Sequence, residues 1–149
     1  KLRFQYNILE KQMRRYVERA FRSRGVSGHV LLQILETRLD NVVYRLGFAS
    51  TIWAARQLVN HGHVQVDGKR VDIPSFECKV GMTVSLKEKM RQNAQIQEAL
   101  NFCPVGLVPS YLESDRDNFT GKLVSVPARD EIPVKVDEQL IVEYYSKYV

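Results

Sequence analysis

Residues 49–70, ASTIWAARQLVNHGHVQVDGKR, contain the pattern that decides the fold of this chain. Ser50 or Thr51 can cap a helix of about three turns that ends at Gly62. An aspartate and a glycine then stand between VQV and KRV, and this pair favours a type I′ hairpin because both central residues need positive φ. The stretch therefore predicts a helix, a glycine stop and a tight hairpin with basic residues at its tip.

The predicted helix has two faces. Its apolar side consists of Ile52, Ala54, Ala55, Leu58 and Val59. Its polar side carries Trp53, Arg56, Gln57 and Asn60 at helical spacing. For Trp53 three roles stay open: stacking on an unpaired base, packing against a neighbouring protein, or partial burial in the core. The polar face and the hairpin tip, with Lys69 and Arg70, are candidates for a binding surface.

Helical spacing also dominates the residues before this stretch. Residues 2–22 predict an amphipathic helix, with apolar Leu9, Met13, Tyr16, Val17 and Ala20 opposite basic Lys11, Arg15, Arg19 and Arg22. From Ser27 the apolar spacing continues to a stop at Gly47, with a bend or break expected near Arg38.

After Pro74 the pattern changes to strands and turns. It predicts strands at residues 75–80, 82–86 and 119–126, a polar helix at 87–101, and a last helix at 138–148 capped by Asp137. The loops between them are rich in proline and glycine, and there is no internal repeat. Helical patterns therefore flank a strand-rich middle.

Charge is distributed unevenly along the 149 residues. Residues 1–70 hold 13 Lys and Arg against 5 Asp and Glu, net +8, whereas residues 71–149 hold 9 against 12, net −3. A one-sided positive field attracts nucleic-acid phosphates or an anionic surface. No apolar run approaches the ~20 residues of a membrane span, and the first residues lack the apolar core of a signal peptide. We expect a soluble intracellular protein in which Cys78 and Cys103 are ordinary free thiols.

The sequence contains no recognisable motif for metal binding or catalysis. His61 and His63 would need a third or fourth ligand to bind zinc, and His29 is far upstream, so we predict no metal site. The segment from Gly62 to Lys69 differs from a phosphate-binding loop in spacing and context. No nucleophile–base pairing is apparent, so we predict no catalytic residues and no cofactor.

Motifs within residues 35–76 carry a resemblance to a known family. They are RLDN-x-x-x-RLG from residue 38, ARQLV-x-H from residue 55, G-H-V-x-V-x-G from residue 62, and V-x-IPS from residue 71. Together they resemble the RNA-binding module of the family of small-subunit ribosomal protein four of bacteria and organelles. The flanks KLRFQYNILEKQMRRYV (1–17) and VDEQLIVEYYSK (136–147) are similar to the same family. The resemblance covers essentially the whole chain.

The resemblance implies an α+β fold. A helical domain would comprise residues 1–36 and 136–149, and an α/β domain with a small, mainly antiparallel sheet would be inserted at residues 37–135. The RNA-binding module would occupy about 38–100. The family usually carries a further basic, sometimes metal-binding, N-terminal segment, which we expect to be disordered, cleaved or left out here.

The resemblance also implies a function without catalysis. Such a protein is a structural constituent of the small ribosomal subunit, in the bacterial cytoplasm or a plastid. It binds 16S-type ribosomal RNA at a multi-helix junction of the 5′ domain and nucleates assembly. It lies beside ribosomal proteins three and five, near the messenger RNA entry path, and away from membranes. The alternatives are an RNA-modifying enzyme such as a pseudouridine synthase with the same module, and a stand-alone module that binds large-subunit RNA as a stress factor.

Two groups of residues are predicted to contact RNA. The first, on the first helix, is Lys11, Arg14, Arg15, Arg19 and Arg22. The second, in the module, is Arg38, Arg45, Ser50, Thr51, Arg56, Gln57, Asn60, His61, His63, Lys69 and Arg70. Arginine predominates among them, as expected for bidentate phosphate contacts. Two such surfaces could clamp several RNA helices and recognise shape more than sequence.

Overall fold

The computed structural model describes residue 6, residues 8–134 (at residue 105 the backbone alone) and residues 136–146. Within them lie six α-helices and one five-stranded antiparallel sheet, so the predicted α+β class is confirmed. The helices are α1 (Glu10–Phe21), α2 (Ser27–Glu36), α3 (Leu39–Arg45), α4 (Ile52–Asn60), α5 (Ala94–Phe102) and α6 (Glu138–Tyr145). The strands are β1 (Val64–Val66), β2 (Lys69–Arg70), β3 (Thr83–Leu86), β4 (Leu112–Asp115) and β5 (Thr120–Leu123).

The chain forms two compact units, residues 1–36 with 127–149 and residues 37–126. In the first unit, α1, α2 and α6 bury one face each around a shared apolar core. From α1 this core takes Met13, Tyr16, Val17 and Ala20, as the spacing predicted. Leu9 was expected on the same side but is 78% exposed, because it lies at the extended residue before the helix begins. The start of the predicted helix, residues 2–5 and 7, and the end of the last one, residues 147–148, lie outside the described residues.

The boundary between the units corrects the predicted domain limits. Residues 127–134 were placed with the α/β domain, but they belong to the helical unit, where Ile132 and Val134 are buried in its core. Arg129 holds this segment, which we call the connector, in place. Its guanidinium donates to the carbonyl of Val134 at 3.1 Å and pairs with Glu138 on α6 at 2.5 Å. Apolar side chains and one arginine therefore bind the connector to the helices that follow and precede it.

The second unit contains the sheet, whose strand order is β2-β1-β3-β5-β4. Alternate residues of β1 and β3 are buried, as is typical of a sheet with one face against a core. That core also receives Leu39, Val42 and Val43 from α3 and Ala55 and Val59 from α4. The sheet and its helices thus hold α4 and the first hairpin in a fixed arrangement.

The expected break near Arg38 is present and has a clear cause. Arg38 is extended and forms an isolated antiparallel bridge with Glu77, and the Cys78 amide donates to the Thr37 carbonyl at 2.8 Å. The strand predicted at residues 75–80 is therefore wrong. Its backbone groups bond to the short link between α2 and α3 instead of to the sheet.

Two other elements differ from the pattern. The polar helix expected at 87–101 is divided into a 3₁₀ turn at Glu88–Met90 and α5, whose N-cap Asn93 accepts from Ile96 and Gln95 amides. Strand β4 was missed because its sequence, LESD, is mostly charged and polar. It lies at the edge of the sheet, where one face and one side are open to water and such residues are tolerated.

The turn residues act as predicted. Gly47 and Gly62 follow α3 and α4 with φ of 90° and 75°, in the left-handed region that favours glycine. Asp67 and Gly68 also have positive φ, 51° and 82°, which confirms the type I′ hairpin between β1 and β2. Among the described residues, no helix is both long and apolar enough to cross a membrane.

Thr51 is the N-cap of α4, and its hydroxyl accepts a hydrogen bond from the Ala54 amide at 3.0 Å. We expect Thr51→Ala to lower the free energy of unfolding by about 1 kcal/mol, because one amide of the first turn loses its partner. Thr51→Ser should retain most of the stability. Urea unfolding of both variants checks this, and equal stability of Thr51→Ala and the unchanged chain would contradict it.

Candidate nucleic-acid interface

The first predicted surface is a row of cations along α1, here called the α1 stripe. Its members Lys11, Arg14, Arg15, Arg19 and Arg22 are all exposed, opposite the buried face of the helix. Two have acidic neighbours one turn earlier: Arg14 lies 3.6 Å from Glu10, and Arg22 pairs with Glu18. Surface pairs of this kind contribute little to stability, so the cations can exchange them for phosphates.

Arg38 does not belong to an exposed surface. Only 4% of it is accessible, and its guanidinium donates to both carboxylate oxygens of the fully buried Asp40, at 3.1 and 2.9 Å. Asp40 also accepts from the Asn41 amide at 2.7 Å. Arg38 would have to leave this pair to reach a phosphate, so the structure removes it from the predicted contacts and gives it a structural role.

Arg56 reaches the same carboxylate from α4. Its guanidinium lies 3.4 Å from Asp40, and 23% of the side chain is exposed. The sequence placed Arg56 on a purely external face, whereas in the structure it is half-buried and shares Asp40 with Arg38. The pairing with Asp40 fixes the direction of the Arg56 side chain, so Arg56 can present N–H groups to a ligand with little loss of conformational entropy on binding. For the same reason, a substitution of Arg56 must also lower the stability of the fold.

The remaining polar residues of this region lie at the surface. Ser50, Thr51, Gln57 and Asn60 are exposed, and Arg45 is half-buried with its guanidinium 5.4 Å from the centre of the Tyr44 ring. Trp53 is 67% exposed, so of the three roles considered for it the core role is excluded. At the hairpin, Lys69 and Arg70 are exposed, and Arg70 pairs with exposed Asp72 at 3.6 Å.

His61 and His63 lie where α4 ends and β1 begins, with ring centres 6.0 Å apart. Burial lowers the pKa of His63, and the charges of Lys89, His61, Lys87 and Arg70 lower it further. His63 is therefore neutral at neutral pH and would meet a phosphate through a hydrogen bond and not as a cation. Among the described residues there is no group of three metal-ligating side chains at this or any other place.

The sequence prediction missed two basic residues that lie near His63, Lys87 and Lys89. Lys87 follows β3 and donates its backbone N–H to the His63 carbonyl at 2.9 Å, and Lys89 lies in the next turn. Together with His61, His63 and Arg70 they form what we call the histidine cluster. The segment KEKM could have indicated a binding site, because it is basic within the acidic half of the chain. It is far from His63 along the chain, however, so the sequence did not predict that Lys87 and Lys89 lie close to His63.

Cys78 and Cys103 are both free thiols, and Cys78 is buried. Burial raises the pKa of the Cys78 thiol to about 12, so it stays protonated and unreactive at neutral pH.

Comparisons with known proteins agree with this division of the chain. The model of the S4 domain matches residues 37–84, and the model of the ribosomal protein S4/S9 N-terminal domain matches residues 1–36. The junction of the two matches coincides with the boundary between the two structural units at residues 36 and 37. The S4-domain match therefore contains the module residues, and the other match contains the α1 stripe.

Similar proteins extend over nearly all of the chain. It is 50% identical over 147 residues to the small ribosomal subunit protein uS4 of Akkermansia muciniphila, covering 99% of this chain and 72% of that protein. It is 54% identical over 142 residues to the uS4 protein of Trichlorobacter lovleyi, covering 95% and 68%. It is 48% identical over 147 residues to uS4c of Rhodomonas salina, covering 99% and 73%. On this identity and coverage, the chain belongs to the uS4 family of small ribosomal subunit proteins, which are structural proteins and not enzymes.

Proposed function

We propose that this chain is a structural constituent of the small ribosomal subunit and binds its 16S-type ribosomal RNA, in a bacterial cytoplasm or a plastid. The observation that carries the proposal is the identity of about half of all residues to proteins named uS4 over 99% of the chain. The exposed cations of the α1 stripe and of the hairpin support it, because they lie in both units and suit phosphate contacts.

The site of binding is a multi-helix junction in the 5′ domain of that RNA. A junction presents phosphates from several helices at defined distances, and a protein with rigid cationic surfaces recognises such a shape without reading many bases. Binding before most other proteins would fix the junction and nucleate assembly. In the subunit, the chain would adjoin ribosomal proteins three and five and the messenger RNA entry path.

Hydroxyl-radical footprinting of the purified chain on both ribosomal RNAs tests the proposal. We expect protection of sugars around one junction of the 5′ domain of the small-subunit RNA. Protection confined to large-subunit RNA would instead favour a stand-alone stress factor. The Lys79→Gln/Lys122→Gln variant, which changes two exposed lysines outside the predicted contacts, should give the same footprint.

A further inference from the structure

A cleft of about 690 Å³ opens in the second unit between α4 and α5. We call it the α4–α5 cleft. Its inner wall is apolar, with buried Phe48, Ile96 and Ala99 and half-buried Leu58. This volume lies within the range of about 300–1,000 Å³ in which proteins hold small ligands. The inner wall offers such a ligand a surface for a flat, apolar face.

The mouth of the cleft carries groups that can read a base. The side chains of Gln57 on α4 and Gln95 on α5 are both exposed and line it from opposite helices. Each amide offers donors and an acceptor, which is the pattern that pairs with the edge of an unpaired base. Phe102, which is 74% exposed, adds an aromatic ring on which a base can stack.

The histidine cluster adjoins one end of this cleft, since His61 and His63 also line it. Arg70 lies against Gly62 so closely that a side chain at Gly62 would overlap its guanidinium. Acidic Glu98 lines the cleft and Glu88 lies between the two lysines, while Lys87, Lys89 and Arg70 place three positive charges around His63. His63 Nδ1 is shielded from solvent and has no hydrogen-bond partner among the described residues. An anionic group can therefore bind at this end.

We propose that the α4–α5 cleft binds one unstacked base of a single-stranded RNA segment, with the phosphate of that nucleotide against the histidine cluster. The proposal rests on the proposed RNA-binding function and adds a sequence-sensitive contact to it. The apolar wall stacks the base, the two glutamine amides pair with its edge, and Lys87, Lys89 and Arg70 bind the phosphate. A peptide segment would use the apolar wall but would leave the cations without a ligand.

The test fills the cleft and leaves every polar group in place. Ala54 is half-buried and lines the cleft, whereas Ala94 is exposed on α5 and lies outside it. Ala54→Leu should lower the affinity of the full chain for single-stranded hexa-adenylate or hexa-uridylate about tenfold or more, because one stacked base is displaced. Ala94→Leu makes the same change outside the cleft and should leave the affinity unchanged.

A second measurement does not depend on the folding of a variant. In the unchanged protein, the side-chain amide NMR signals of Gln57 and Gln95 should shift as either oligonucleotide is added. Equal affinities of the two leucine variants, or amide signals that do not respond to either oligonucleotide, would overturn the proposal. If these signals shifted only when another ribosomal protein was added, the cleft would be a site for that protein and the proposal would be wrong. If the chain still binds folded small-subunit RNA, only the base site fails. If it binds no ribosomal RNA at all, the proposed function fails as well.

Discussion

Asp40→Ala should lower the free energy of unfolding by about 3–5 kcal/mol, the range for breaking one side of a buried ion pair. Asp40 is fully buried, and its carboxylate accepts two hydrogen bonds from the equally buried Arg38. Without the carboxylate, the guanidinium of Arg38 would remain buried with its main partner gone. Because Arg56 pairs with the same group, it would lose its anchor too.

Urea unfolding of three variants checks this expectation. Asp72→Ala is the matched control, since it removes an aspartate that pairs with an arginine at the surface of the same unit, and it should cost less than about 1 kcal/mol. Asp40→Asn retains the shape and an acceptor oxygen and should fall between the two. If Asp40→Ala were no more destabilising than Asp72→Ala, the buried pair would not hold the fold together.

Arg15→Gln/Arg19→Gln should weaken binding to small-subunit ribosomal RNA about 25- to 60-fold at 0.1 M salt. Both arginines are exposed on α1, so their removal leaves the core intact. Each phosphate contact adds roughly 0.7–0.9 to the magnitude of the slope of log affinity against log salt concentration. At 0.1 M salt, one contact therefore contributes nearly a factor of ten in affinity. If about six to eight phosphates are bound, the unchanged chain should show a slope between about −4 and −7, and the variant a slope smaller by nearly two.

Filter binding between 50 mM and 400 mM salt measures both quantities. The Lys79→Gln/Lys122→Gln variant carries the same change of net charge on exposed residues in the other unit and should retain the affinity and the slope. Equal losses in the two variants would show that net charge alone, and not the α1 stripe, drives the association.

Much of the fold could be predicted because the signals were local. The N-caps Thr51 and Asp137, the glycine stops and the Asp-Gly hairpin each depend on the conformational preference of one or two residues. The prediction failed where hydrogen-bond partners distant in sequence determine the local structure. Residues 76–78 have the composition of a strand, but the Phe76 carbonyl accepts from the Leu39 amide and the Cys78 amide donates to the Thr37 carbonyl, so they bond to the start of α3 and the link before it.

The same distinction applies to the candidate site. The amphipathic spacing of α1 was enough to expose its cations, because one face of that helix must be buried. Arg38 and Arg56 looked equivalent in the sequence, since nothing near Arg38 in the chain indicated that Asp40 would be buried between them. The α4–α5 cleft could not be predicted either, since its two walls are more than thirty residues apart.

The sequence by itself determined most of the helices, the caps Thr51 and Asp137, the glycine stops, the first hairpin, the excess of positive charge in the first half, and the family. These features follow from local backbone preference, from the period of apolar residues and from identity along the chain. Only the tertiary structure decided which cations face solvent, which one is buried against Asp40, and which residues line a common cleft. Burial and proximity depend on how distant segments pack, and that packing has no signature in any short stretch of sequence.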